Sequence, residues 1–286
     1  MESDLFARIE ACSPEFSKGQ RAIASFLTAH HDKAAYMTAG ALGRTVGVSE
    51  STIVRFAAEL GYEGYPQMQK ALRASLRSTM TSLQRMDLGG GKFVGGDYLK
   101  SVLLSDLDNL RATLDNIDRA AFAEAVEAVL HARCLYIMGA RSSAILASFL
   151  HFYLKLLLDP VRLVHPSADS EMLEQVMRIG PEDVLIGISF PRYSRHTVQT
   201  MRYARDQGAR VIALTDTERS PLCSIASLVL LAGSDMVSFV DSLVAPMSVL
   251  NALIVEVAMR NREEVSDTFA RLEGIWDRYE VYEKGR

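Results

Sequence analysis

The sequence predicts an α/β chain in two parts: an all-α bundle at the amino end, then a three-layer αβα sandwich on a five-stranded parallel sheet. Three observations predict it. Before about residue 86 the apolar residues fall at helical spacing and no strand-like run occurs. After about residue 97, short apolar runs alternate with helical stretches. Between the two, Met86 to Asp97 holds five glycines in twelve residues. Each of those glycines costs a helix about 1 kcal/mol relative to alanine, so this segment reads as a joint. A chain of 286 residues is also long enough for two cores. The expected boundaries are residues 1–85, a linker over 86–97, and 98–286.

In the amino part, Leu5 and Ile9, then Ile23, Phe26 and Leu27, mark helices. From Met37 to Gly61 the apolar positions Ala39, Leu42, Val46, Val48, Ile53, Phe56, Ala57 and Leu60 fit two short helices joined at Gly47. Gly47 suits a turn that needs positive φ, and Ser49 is placed to cap the second helix. One face of that helix is the stripe Ile53, Phe56, Ala57 and Leu60, while the other carries Ser51, Thr52 and Arg55. This is the pattern of a helix-turn-helix, whose second helix enters the major groove of DNA. Arg55 is expected to read guanine, and Ser49, Ser51 and Thr52 to contact phosphates or bases. Lys70, Arg73 and Arg77 follow at near-helical spacing, with Lys70 and Arg73 expected on the DNA backbone.

Charge agrees mildly with this division. The net charge is −4, but residues 1–86 hold ten Lys and Arg against eight Asp and Glu, and the remainder 21 against 27.

After the joint, helices are expected over Asp97–Asp115 and Arg119–His131. The strand runs are Cys134–Met138, Val161–Val164, Val184–Ser189, Arg210–Thr215 and Leu228–Leu231. Continuous apolar runs separated by helices predict parallel strands covered on both faces. A long helix, Ser242–Arg262, closes the domain. Two polar loops leave strand ends and enter helices: Gly139-Ala140-Arg141-Ser142-Ser143, and Ser189 through Arg192 and Ser194 to Thr197. Hydroxyls, arginine forks and helix N-termini at the carboxyl edge of a parallel sheet suit a phosphate.

The string VSESTIVRFAAELGYEGYPQMQ, Val48 to Gln69, resembles the DNA-binding domain of the RpiR (MurR/RpiR) family of sugar-metabolism regulators. Ser49, Thr52, Arg55, Phe56, Leu60, Gly61, Tyr62, Gly64 and Tyr65 occupy the family's positions. Ala39-Gly40-Ala41 departs from it, since longer or charged residues are usual there. From about Asp118 to Met259 the chain resembles the SIS (sugar isomerase) domain, including Ala204 to Thr215 and Ser220-Pro221-Leu222. The resemblance implies a regulator, expected to be a repressor, that binds double-stranded operator DNA. It also implies a sugar-phosphate effector held by Gly139, Arg141, Ser142, Ser143, Ser189, Arg192, Ser194 and Thr197. The second loop departs from the usual Ser-x-Ser-Gly-x-Thr, with Pro191 and Arg192 replacing serine and glycine. Proline removes one N–H from an anion cradle.

Catalysis was weighed against this, because an aldose–ketose isomerase needs a carboxylate or histidine base. His165, Asp169, Glu171, Glu174 and His196 are the nearest candidates. Asp169 and Ser170 read better as a helix cap, with Glu171 and Glu174 in favourable first-turn positions, and His196 as the end of a loop. No enzyme, cofactor or metal site is expected. Three scattered cysteines, an acidic start and the lack of a long apolar run point to a cytoplasmic chain outside any membrane. The helices Asp97–Asp115 and Ser242–Arg262 are expected to pair copies into a homodimer or homotetramer.

Overall fold

The computed structural model describes residues 5–35, 37–77, 83, 85–86, 97–165 and 169–283. The glycine-rich segment 87–96 lies outside the described residues. So do the side chains of Lys70, Arg73, Arg77 and Asp169. The chain divides into two compact units, Met1–Gly91 and Lys92–Arg286.

Unit one is helical: α1 Leu5–Cys12, α2 Lys18–Ala29, α3 His31–Ala34, α4 Ala39–Val46, α5 Glu50–Glu59 and α6 Tyr65–Arg77. Its core gathers Leu5, Ile23, Leu27, Leu42, Ile53, Phe56 and Met68, all essentially inaccessible to water. The expected stripe of α5, Ile53, Phe56, Ala57 and Leu60, is the buried face.

Unit two opens with α7 Tyr98–Asn116 and α8 Arg119–Leu130. Then β1 Leu135–Gly139, α9 Ser143–Leu157, β2 Val161–Val164, α10 Asp169–Gln175, β3 Val184–Ile188, α11 Arg195–Asp206, β4 Arg210–Thr215 and β5 Leu228–Leu231 build the sandwich. The sheet is parallel in the order β2-β1-β3-β4-β5. Alternate strand residues feed two cores. Ile137, Ile186, Ile188, Ile212 and Leu230 meet Val126 of α8 and Leu146 and Leu150 of α9 on one face. Tyr136, Met138, Leu185, Val211 and Ala213 meet Met172 of α10 and Met201 of α11 on the other.

Two helices follow, α12 Val244–Arg260 and α13 Arg262–Arg278. Here the structure extends the expectation, because the domain does not close at residue 262. α13 contributes only Val265 to the buried set, although Val265, Phe269, Leu272 and Trp276 recur along it at helical spacing. Among the described residues no helix is long and apolar enough to cross a membrane.

Candidate functional site

The helix-turn-helix is α4, the turn at Gly47, and α5. Thr38 caps α4 by accepting from the Ala41 N–H at 3.2 Å. Gly47 lies at φ +80°, the left-handed conformation the turn requires. Ser49 caps α5, its Oγ accepting from the Thr52 N–H at 3.2 Å. The same Oγ lies 2.9 Å from Ser51 Oγ and 2.8 Å from Thr52 Oγ1, so the three hydroxyls form a cluster at the head of the helix. Arg55 is exposed on the outer face, as is Ser51. Val54, 43 % exposed between them, adds an apolar patch to that face. Sequence reading missed it because a valine on a helix is ordinarily assigned to the core. A methyl-bearing side chain there suits the 5-methyl group of thymine.

The far end of α5 is held by α1. Arg8 Nη1 donates to the Leu60 carbonyl at 2.8 Å, and its guanidinium sits 4.7 Å from the Tyr62 ring centroid. A cation at a helix C-terminus complements its dipole. Tyr65 donates through its hydroxyl to the Met37 carbonyl at 2.6 Å. Much of the string that carries the family resemblance therefore positions α5, whose exposed residues are Glu50, Ser51, Val54, Arg55, Ala58 and Glu59.

In unit two the chain leaves β1 for the edge strand β2, then returns to β3 on β1's other side. That reversal makes β1 and β3 the switch point, where open parallel sheets take their ligands. The register sets Gly139 opposite Ile188, so the two polar loops leave from neighbouring strand ends. In the first loop a Cβ on Gly139 would lie 2.4 Å from the Ser143 carbonyl oxygen, so only glycine fits. The N–H groups of Ser143, Ala144 and Ile145 bond back to the carbonyls of Ala140, Arg141 and Ser142. Those amides are committed to the turn, which leaves the side chains as the loop's donors. Ser143 is buried, Arg141 and Ser142 are exposed, and Arg141 has φ +57°.

The second loop is braced from within. Buried Ser189 accepts the Ser194 N–H on its Oγ at 3.1 Å, and Ser194 in turn caps α11, accepting the Thr197 N–H at 3.3 Å. Both hydroxyls act as acceptors in these bonds. Phe190 and Pro191 turn inward, and Arg192 turns outward with φ +71°. Thr197 is fully buried, and its Oγ1 has no hydrogen-bond partner among the described residues. Tyr193 donates to Asp216 Oδ1 at 2.8 Å, tying this loop to the end of β4. Burial first, and then the Asp216 charge, push the Tyr193 hydroxyl far above its ordinary pKa, so it stays a neutral donor. Sequence reading missed this tie, because it joins residues 23 apart that meet only at adjacent strand ends.

Among the candidates whose side chains are described, the acids and histidines stand apart. Glu171 and Glu174 stand exposed on α10. His196 lines a groove of about 370 Å³ between α10 and α11 with Met172, Gln199, Tyr203 and Asp206, and neither glutamate lines it. His165 is fixed through its backbone, which exchanges two hydrogen bonds with the Gln175 amide.

Comparison with known proteins matches this division. Residues 3–79 match the family model for the helix-turn-helix domain of the rpiR family, and residues 129–256 match the SIS domain. The sugar isomerase domain of an RpiR transcription factor from Sphaerobacter thermophilus is 30 % identical. It superposes with a TM-score of 0.58, covering 62 % of this chain and 98 % of its own. The chain belongs to the RpiR family of transcription regulators. Another RpiR-like fold, the Vibrio vulnificus NanR protein solved with ManNAc-6P, matches over 95 % of this chain and 98 % of its own. Its identity is 22 % and its TM-score 0.56, so the likeness is one of fold. In this RpiR member the helix-turn-helix and the β1–β3 edge belong to separate compact units.

Proposed function

We propose that this RpiR regulator grips a double-stranded operator through the outer face of α5, and that a sugar phosphate bound at the β1–β3 edge alters that grip. The observation that carries the reading is the pair of hydroxyl- and arginine-bearing loops at the sheet's switch point, in a chain that also carries a capped recognition helix. Gly139, Arg141, Ser142 and Ser143 supply one side of the phosphate site, and Ser189, Arg192, Ser194 and Thr197 the other. Ser49, Ser51, Thr52 and Arg55, with Lys70 and Arg73 on α6, supply the DNA contacts. Binding without turnover is the reading supported by Glu171 and Glu174, which stand exposed on α10 outside the groove that His196 lines. The working compartment is the cytoplasm, where the operator is.

The effector's influence leaves the sheet through α7. Buried Asn109 exchanges two 2.9 Å bonds with the backbone of Asp235, beyond β5. Thr113 Oγ1 accepts the Gly233 N–H at 2.9 Å, and Ser242 donates to Asp106 at 2.6 Å. The helix next to the glycine-rich joint is thus bolted to the segment that follows β5 at the ligand edge. α7 also leaves Leu99, Leu103, Leu107 and Leu114 at 46–73 % exposure. That apolar row supports pairing of two or four copies, which would present two heads to a palindromic operator.

Fluorescence anisotropy with DNA flanking the protein's own gene, across a panel of sugar phosphates, tests the reading. Salt-sensitive binding altered by one compound is the expected result. Unaltered binding across the panel would remove the sensor half. Arg55→Ala is expected to weaken operator binding by about 1–3 kcal/mol and to relax base preference at one position. Wild-type affinity in that variant would dismiss α5 as the reading helix.

A further inference from the structure

We propose that Gly40 is a positioning residue for DNA binding: it opens a notch in α4 that holds the Glu50 carboxylate away from the DNA. The inference rests on α5 as the reading helix and adds to it a residue of α4. α5 begins with Glu50, the acid of its first turn. An anion at that place suits the helix dipole. The same place is where a helix N-terminus takes a phosphate. Glu50 therefore favours the fold and opposes binding, unless its carboxylate is kept aside. The cap does not need it, because Ser49 Oγ already accepts the Thr52 N–H and gathers the Ser51 and Thr52 hydroxyls.

At 3.6 residues per turn Glu50 stands about 100° round α5 from Ser51, on the flank beside the buried Ala57. From that flank its exposed side chain reaches α4. A Cβ built on Gly40 would lie 2.9 Å from Glu50 Oε2 and 3.6 Å from Arg44 Nη1. Opposite charges thus converge on the spot that a side chain at position 40 would fill, and their attraction favours the folded-back carboxylate. Any side chain there meets Glu50 Oε2 closer than a Cβ tolerates. That oxygen is the far end of a flexible, exposed side chain, so the carboxylate moves and the backbone stays. The Ala57 side is packed, which leaves the outer face with Ser51 and Arg55. A carboxylate released there competes with DNA for Arg55 and repels the phosphates. The small residues Ala39-Gly40-Ala41, where longer or charged ones are usual in the family, are what keep the notch open.

A double-mutant cycle on the full chain tests this, with anisotropy on duplex DNA flanking the protein's own gene and thermal melting of each variant. Gly40→Ala is expected to melt no lower than wild type, since alanine favours a helix over glycine. It is expected to bind about fivefold more weakly, the effect of one like-charge contact across water. Glu50→Gln is expected to bind within about twofold of wild type, because a carboxylate held in the notch does not meet the DNA. Gly40→Ala combined with Glu50→Gln is expected to recover wild-type affinity. An equal loss from Gly40→Ala with and without Glu50→Gln would assign Gly40 to packing and overturn the inference. So would Glu50→Gln binding about fivefold tighter by itself, because the carboxylate would then already face the DNA. Unchanged affinity in Gly40→Ala would overturn it too, and would leave α5 as the reading helix. If the wild-type chain shows no salt-sensitive binding, the reading of α5 fails and this inference with it.

Discussion

The two ends of the parallel sheet both carry arginine, in opposite company. At the amino end, Arg133 lays Nε and Nη2 on the two carboxylate oxygens of Asp183, at 2.9 and 2.6 Å, and the Gly180 N–H adds a third bond at 2.8 Å. Asp183 is fully buried and fully satisfied. At the carboxyl end, Arg141, Arg192 and Arg195 sit in loops where Tyr193 reaches Asp216 at 2.8 Å, and two of the three arginines have positive φ. An arginine that closes a buried ion pair serves the fold. Arginines held at positive φ at the switch point of the sheet are the ones the proposed sensor site draws on. Breaking the first kind should cost stability, and removing the second kind should return some.

The largest effect is expected at the amino end. Arg133→Ala strips the buried Asp183 carboxylate of its partner, and water reaching the half-exposed Arg133 position moderates the loss. Burial raises the Asp183 pKa, but the Arg133 bonds and the Gly180 amide outweigh it, and the net value is held below the ordinary carboxylate range. The depressed pKa fixes the sign of the pH dependence. The pair's stabilisation is fully present above the unfolded pKa and is lost as pH falls through the folded one. Wild type and Arg133→Ala should therefore differ most in denaturant midpoint near neutrality and converge in acid. A gap that stays constant from neutral pH into acid would mean that the pair does not act through this carboxylate.

At the carboxyl end the sign reverses. Arg192→Gly removes a side chain from φ +71° and should stabilise the ligand-free protein by about 1 kcal/mol while weakening effector binding. Thermal melting with and without effector reads both. A variant that melts lower than wild type without ligand would mean that Arg192 belongs with Arg133, as a residue of the fold.

This contrast also explains what the sequence could reveal. Val161–Val164, Arg210–Thr215 and Leu228–Leu231 are strands at the limits the sequence predicts, and the central strands β1 and β3, buried at every position, are written as unbroken apolar runs. Gly47 and Ser49 do what their residue types foretell, since a turn at positive φ and an N-cap are decided within a few residues. Arg141, Ser142, Ser189 and Ser194 could be picked out for the same reason, from loops next to predicted strands. The Tyr193–Asp216, Asn109–Asp235 and Arg133–Asp183 ties could not, because partners 23, 126 and 50 residues apart become neighbours only once the strand order is known. α13 was legible too, since Val265, Phe269, Leu272 and Trp276 recur at helical spacing, but the helix expected to close the domain stopped at residue 262.

The smallest effect is also the sharpest test of the electrostatic half of the comparison. Arg195 is the first residue of α11, one position after the Ser194 cap. Arg195→Glu exchanges a cation repelled by the helix dipole for an anion that it attracts, a change of about 0.5 kcal/mol toward greater stability. The same exchange places a negative charge beside the incoming phosphate, so effector affinity should fall while the melting temperature rises slightly. The two readouts moving in opposite directions cannot come from a general loosening of the loop, which would lower both. If the variant melts lower and binds less, the helix head is a structural contact. If it melts higher and binds equally well, the effector's charge lies beyond the reach of α11 and is held by Arg141 and Arg192 alone.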